Sequence, residues 1–141
     1  AARLHSYQPH VPILDEGVED PHRVAAAADQ KILTAIPSLK NLGHDVRDFA
    51  DTAALIAALD IVITVDTSVA HLAGALGKPV WVMLPYVPDW RWLLGRSDSP
   101  WYPTMRLFRQ SAAGVWTDAI AGVAAELNAV LEKKKVELSG I

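Results

Sequence analysis

Short unbroken apolar runs alternate along this chain with longer stretches in which apolar positions recur every three or four residues. Ile61-Val62-Ile63-Thr64-Val65 and Val80-Trp81-Val82-Met83-Leu84 are the two clearest runs. Both lack the polar alternation of a half-exposed sheet, which predicts strands buried on both faces. Between them, Ser68 to Leu76 carries Val69, Leu72, Ala73 and Leu76 at helical spacing. That spacing predicts a helix with one apolar stripe, stopped by Gly77 and followed by Pro79. Upstream, Asp51 predicts the cap of a helix running to about Leu59, with Leu55, Ile56 and Leu59 on one face and Asp60 ending it.

The flanks are less regular. Arg3 to Tyr7 reads as a short first strand, and Gln8 to Asp20 as a loop broken by Pro9, Pro12 and Gly17. Asp20-Pro21 suits a helix opening, and the alanine-rich run Val24 to Ile36 reads as that helix, stopped by Pro37. Leu39 to Leu42 reads as a short strand ended by Gly43. Beyond Leu84, Pro85 to Thr104 is a long loop rich in aromatics and proline. Met105 to Phe108 reads as a last strand, and Trp116 to about Lys135 as a closing helix with lysines in its final turn. Strands alternating with helices predict the α/β class, a Rossmann-like parallel sheet with helices on both faces. The runs Ile61–Val65 and Val80–Leu84 are expected side by side at its centre.

Composition narrows the function classes. The 141 residues fit one domain, 1–141, long enough to bury a core without staples. The formal net charge of −3 argues against a nucleic-acid partner, which calls for a basic patch. The absence of cysteine excludes disulfides, thiolate metal sites and cysteine nucleophiles, and fits a cytoplasmic location. No apolar run has the length of a membrane span. A chain that opens on a strand-like run without methionine is expected to be a piece of a longer protein.

Ligands of parallel α/β sheets sit beyond the carboxyl ends of the strands, at helix N-termini. The turn Asp66-Thr67-Ser68 occupies such a place. Free backbone N–H groups there attract an anion, and the Thr67 and Ser68 hydroxyls can add donors. His71 lies three residues after Ser68, on the same helical face, and leans toward that turn. It is off the stripe of Val69, Leu72, Ala73 and Leu76. A plainer reading of the same residues makes Asp66 only an N-cap and His71 only a packed or surface polar group.

The run Asp66-Thr67-Ser68-Val69-Ala70-His71-Leu72-Ala73-Gly74-Ala75-Leu76-Gly77-Lys78-Pro79-Val80 resembles the D-T-x-x-x-H-L-x-x-A-L-x-x-P segment of the heptosyltransferases, glycosyltransferase family 9. It is closest to the branch fused to tetratricopeptide repeats. Asp48 to Thr52 and Pro85 to Trp92 resemble that branch too, and the similarity runs from about Asp45 to Gln110. The resemblance implies a GT-B enzyme of two Rossmann-like domains, of which this chain is the C-terminal, donor-binding one. It implies hexosyl or heptosyl transfer from a nucleotide-diphosphate sugar, without metal or other cofactor. The acceptor-binding N-terminal domain, with the acidic base, would lie outside this chain, with tetratricopeptide repeats upstream. Carried over residue by residue, His71 and Asp66 would be the catalytic pair flanking sugar and phosphates. Thr67 and Ser68 would hold the diphosphate, with Gln8, Trp90 and Arg91 beside it. Phe49 and Ala50 would lie against the base. The family often has a lysine after the first strand of this domain, where this chain has Gln8, Pro9 and His10.

The loop from Pro85 to Tyr102 holds Tyr86, Trp90, Trp92, Trp101 and Tyr102 with Arg91 and Arg96. Tryptophan faces stack on sugars and bases, and an arginine can meet a phosphate. Rings this dense also pack one another into a satellite cluster. Trp90 and Arg91, soonest after the strand, are the functional candidates. Two other functions share the fold: half of a sugar-nucleotide epimerase, and a non-catalytic binding or scaffold module. The epimerase is expected to carry more acidic and histidine groups than Asp66 and His71.

Overall fold

In the computed structural model of the chain, the described residues are 31, 32, 34–43 and 45–140. The expected first strand, the loop after it, the Asp20-Pro21 helix opening and the Gln8 position lie outside them. The chain divides into two compact units between Gly43 and His44. In the first, residues 31, 32, 34 and 35 are helical and the chain turns at Pro37 and Ser38. The strand expected over Leu39 to Leu42 is not there. The Asn41 side chain accepts the Gly43 N–H at 2.9 Å instead, a local bond that competes with extended pairing.

The second unit opens with helix α1, Phe49–Ala58. Its cap is Asp48, whose carboxylate accepts the Asp51 N–H at 2.9 Å, and not Asp51 as expected. Asp51 lies inside the first turn and pairs with Arg47 at 3.0 Å. Strand β1, Val62–Val65, follows, then helix α2, Ser68–Ala75, and strand β2, Val80–Leu84. Gly77 takes a left-handed φ of 68° after α2, as a terminating glycine does. The long loop contains a single 3-10 turn, Trp90–Trp92. Strand β3, Met105–Arg109, and helix α3, Thr117–Ser139, complete the unit.

The three strands form a parallel sheet in the order β1-β2-β3. Val62 pairs with Val80 and Val80 with Met105. Among the described residues β1 is therefore an outer strand rather than a central one. Ile63 and Val65 are 38% and 43% exposed, so the expectation of burial on both faces holds for β2 and fails for β1. Absence of polar alternation reports how apolar a strand is, not how many neighbours cover it.

Strand alternation sends neighbouring side chains to opposite faces. One face carries Val62, Val80, Val82, Leu84, Met105 and Leu107, all buried with Ile56, Ala70, Ala73 and Trp92 in the main core. Helix α2 packs there. The other face carries Trp81, whose ring lies 5.6 Å from that of Phe108. Helix α3 covers it: a Cβ on Gly122 would come 3.1 Å from the Phe108 ring, and Arg106 binds Glu126 through both nitrogens at 2.7 and 2.9 Å. Helices thus lie on both faces of a parallel sheet, the Rossmann-like arrangement expected.

The buried face of α2 differs from the expected stripe. Ala70, Ala73 and Gly74 are buried, Val69 and Leu72 only in part, and Leu76 is exposed. Small residues let the helix backbone approach the sheet closely, so the contact face turned toward them and away from the larger leucine.

Candidate functional site

The site is built where α2 meets the loop after β2. On the main-core face α2 lies over β1 and β2, and the loop lies beside it. Trp92, in the 3-10 turn, is fully buried against the same core as Met105 and Leu107. The loop is pinned there by Arg109 at the end of β3. Its Nη2 donates to the Trp92 carbonyl at 2.7 Å and its Nε to the Arg96 carbonyl at 3.0 Å. Burial pushes the Arg109 pKa below the usual arginine value. Gln110, also buried, accepts the N–H groups of Tyr86 and Gly114 through one side-chain oxygen at 3.0 and 3.2 Å.

His71 projects from the second turn of α2 into this loop. Its ring stacks on Trp92 with centroids 5.1 Å apart and an interplanar angle of 21°. Its Nδ1 lies 3.2 Å from the Tyr102 hydroxyl, and the two rings meet edge to face at 5.8 Å. The expectation of His71 off the core-facing stripe is thereby corrected: the residue is half-buried and packed on a core residue, as the plainer reading allowed. Tyr102 comes this close because position 74 is glycine. A Cβ there would stand 2.5 Å from the Tyr102 Cγ.

His71, Trp90, Arg91, Trp101 and Tyr102 line a cavity of about 580 Å³, within the size range of small-ligand pockets. Trp90 and Trp101 are 68% and 57% exposed. Arg91 lies over the Trp90 ring, 4.9 Å from its centroid, and its carbonyl accepts the Trp101 indole N–H at 2.9 Å. Asp89 caps the 3-10 turn. It accepts the Arg91 backbone N–H at 3.0 Å and its guanidinium at 2.8 Å. The backbone bond above all holds the Asp89 carboxyl below its usual range, and the nearby His71 acts in the same direction.

The turn before α2 is open. Thr67 is the N-cap and makes no side-chain cap bond. Its hydroxyl turns back toward β1, 3.4 Å from the Val65 carbonyl and 3.4 Å from the Thr64 hydroxyl. Asp66 is exposed, and among the described residues its carboxylate has no hydrogen bond or ion pair. The plainer reading of Asp66 as the N-cap is corrected. The extended backbone places Thr67, not Asp66, at the cap position. Phe49 and Ala50 form the first turn of α1, with Phe49 66% exposed. Of the expected site residues, then, His71, Trp90 and Arg91 meet at one cavity. Asp66, Thr67 and Ser68 stand at the N-terminus of the helix that carries His71. Phe49 and Ala50 are on another helix.

Sequence reasoning missed four residues here. Tyr102, Trp101 and Trp92 were visible only as members of a dense aromatic run, and Gly74 only as a helical glycine. Glycine inside a predicted helix was the available signal, since it costs helix stability and calls for a packing reason.

Comparison with known proteins agrees with the motif at this turn. Residues 45–83 match the model of glycosyltransferase family 9 (heptosyltransferase). A stretch of 86 residues, 60% of the chain, is 41% identical to Protein FlbA of Caulobacter vibrioides, and covers 14% of that protein's length. No solved structure matches. No helix among the described residues is long and apolar enough to cross a membrane. The segment that holds α1, β1, the open turn, α2 and the start of β2 is thus the part of the chain similar to glycosyltransferase family 9 (heptosyltransferase), and it is set in a Rossmann-like parallel sheet.

Proposed function

We propose that this chain is the donor-binding, C-terminal domain of a glycosyltransferase that transfers a sugar from a nucleotide-diphosphate sugar. The observation that carries the proposal is the meeting of His71 with Trp90, Arg91, Trp101 and Tyr102 around one cavity, on a helix whose N-terminus has no side-chain cap. A leaving nucleoside diphosphate gains negative charge as the glycosidic bond breaks. In this proposal no metal meets that charge. The N–H groups at Thr67 and Ser68 and the donors His71 and Arg91 meet it instead. Exposed faces of Trp90 and Trp101 supply apolar walls for a sugar or base. Asp66, free and exposed, faces sugar hydroxyls, because a carboxylate set against phosphates would oppose binding. Two unit charges about 4 Å apart interact by about 4 kcal/mol at an effective dielectric near 20.

The acceptor and the catalytic base belong, in this proposal, to an N-terminal domain outside the chain, with tetratricopeptide repeats upstream and a cytoplasmic location. The test is calorimetric titration of the intact protein with a panel of nucleoside diphosphates, in the presence of a chelator. Binding that weakens in His71→Ala and Arg91→Ala supports the proposal. No binding of any nucleoside diphosphate refutes it.

A further inference from the structure

We infer that Tyr102 is a positioning residue for His71, fixing the imidazole as the tautomer that carries its proton on Nε2. Three observations converge on this. The Tyr102 hydroxyl lies 3.2 Å from Nδ1. The buried Trp92 ring stacks on the imidazole at 5.1 Å and limits how it can turn. Gly74 leaves the gap that seats Tyr102, since a Cβ there would stand 2.5 Å from the Tyr102 Cγ, 2.7 Å from Cδ1 and 3.0 Å from Cβ.

A neutral imidazole has one donor nitrogen and one acceptor, and the partner of one nitrogen decides the role of the other. Around Nδ1 the only hydrogen-bonding partner among the described residues is the tyrosine hydroxyl. A hydroxyl donates readily to a bare nitrogen, so Nδ1 accepts and Nε2 keeps the proton. His71 lines the cavity, and among the described residues its one hydrogen bond is that of Nδ1, with the Asp89 carboxylate the charged group nearby. The ring therefore presents an N–H donor to whatever occupies the cavity, the polarity an anion calls for. That use of the donor rests on the donor-binding reading above. The tautomer does not.

The experiment separates the two. The intact protein, labelled with 15N at histidine, is studied by long-range 1H–15N correlation NMR without ligand at pH above the imidazole titration. The His71 signals are identified by their loss in His71→Gln. The expected spectrum shows a protonated Nε2 and an unprotonated Nδ1. In Tyr102→Phe the two nitrogens should move toward the averaged shifts of a free imidazole. A wild-type ring with its proton on Nδ1 overturns the inference, as does a Tyr102→Phe spectrum that keeps the wild-type tautomer. Should Tyr102→Phe not fold, a wild-type ring with averaged shifts, as in a free imidazole, also overturns the inference. Titration with nucleoside diphosphates is read separately. Loss of the Tyr102 bond should weaken binding roughly two- to tenfold, the scale of one neutral hydrogen bond. A fixed Nε2–H tautomer with no nucleotide binding would leave Tyr102 its positioning role and defeat the donor-site reading alone.

Discussion

Arg109 and Trp92 lie 17 residues apart and are joined by a 2.7 Å hydrogen bond from guanidinium to carbonyl. The bond ties the last residue of β3 to the 3-10 turn on which His71 rests. The second Arg109 bond, to the Arg96 carbonyl, fixes the far end of the same loop segment. Leu93 between them adopts a left-handed φ of 52°, a backbone state that persists for a bulky residue only when its surroundings hold it.

Arg109→Ala is expected to release this segment. Hydrogen bonds to a charged group contribute about 1.5–3 kcal/mol, so the variant should lose roughly that much stability in denaturant titration. Trp92 fluorescence should show the loop loosened. Arg109→Lys keeps the charge but not the forked geometry, and should fall between the two.

Gly74→Ala sets two effects against each other. Alanine favours the helix by about 1 kcal/mol, whereas overpacking costs about 1–3 kcal/mol. The atoms met are the root of the Tyr102 ring at 2.5–3.0 Å, which cannot swing aside as a chain end would. The net effect should be destabilising, with Tyr102 pushed away from His71. A melting temperature equal to or above the wild type's would show that the loop yields freely.

His71→Ala should affect both fold and function. The side chain stacks on buried Trp92, and such ring pairs contribute about 0.5–1.5 kcal/mol beyond burial, so the melting temperature should fall by a few degrees. If the donor-site reading holds, turnover of the intact enzyme should drop roughly ten- to a thousandfold, the range for one charge-stabilising donor. His71→Asn would help to apportion the two effects, because it keeps a polar side chain without the ring.

The two aspartates near the helix starts should behave differently. Asp48→Ala removes the cap of α1 and should cost about 1 kcal/mol. Asp66→Ala removes a carboxylate without partners among the described residues, and its stability should stay within about 0.5 kcal/mol of wild type. Any loss of nucleotide-sugar turnover in Asp66→Ala would then report a functional role rather than unfolding.

Acid should act through Glu126. Its bidentate bonds to Arg106 hold its pKa below the usual glutamate value. A lowered folded value means the pair stabilises fully above the unfolded value of about 4.3. The contribution drains as the pH falls through the lower folded value. Glu126→Gln should therefore be less stable than wild type near neutrality, and the gap should narrow progressively as the pH falls below about 4.3. The screen is denaturant titration across that range, and high salt should narrow the gap as well.

Much of this fold was legible because β2 and α2 are long enough, and regular enough, for periodicity to speak. The run Val80–Leu84 could only be a buried strand, and Gly77 with Pro79 fixed the end of α2 within a residue. Where the reading slipped, a short side chain made a local bond that no pattern displays. Asp48 took the capping role from Asp51, and Asn41 folded onto Gly43. The turn at Asp66 and the place of His71 on α2 were legible from order alone, since one follows a strand and the other sits one helical turn in. The Tyr102 contact was not, because it joins residues 31 apart through a loop whose course depends on Arg109. Nor was the partial exposure of β1, which is a property of neighbours rather than of the strand.

Trp92, Tyr102, Arg109 and Gln110 anchor the loop that holds Trp90 and Trp101, while the two exposed tryptophans face the cavity. The family-matched segment, residues 45–83, ends before all of them. The helix that carries His71 and the aromatic wall of the cavity are thus encoded in separate stretches of chain. A replacement at Trp90 or Trp101 can reshape the cavity wall while leaving the helix, its N-terminus and the core untouched. If the donor-site reading holds, selectivity can drift at these two tryptophans without disturbing the helix that carries His71.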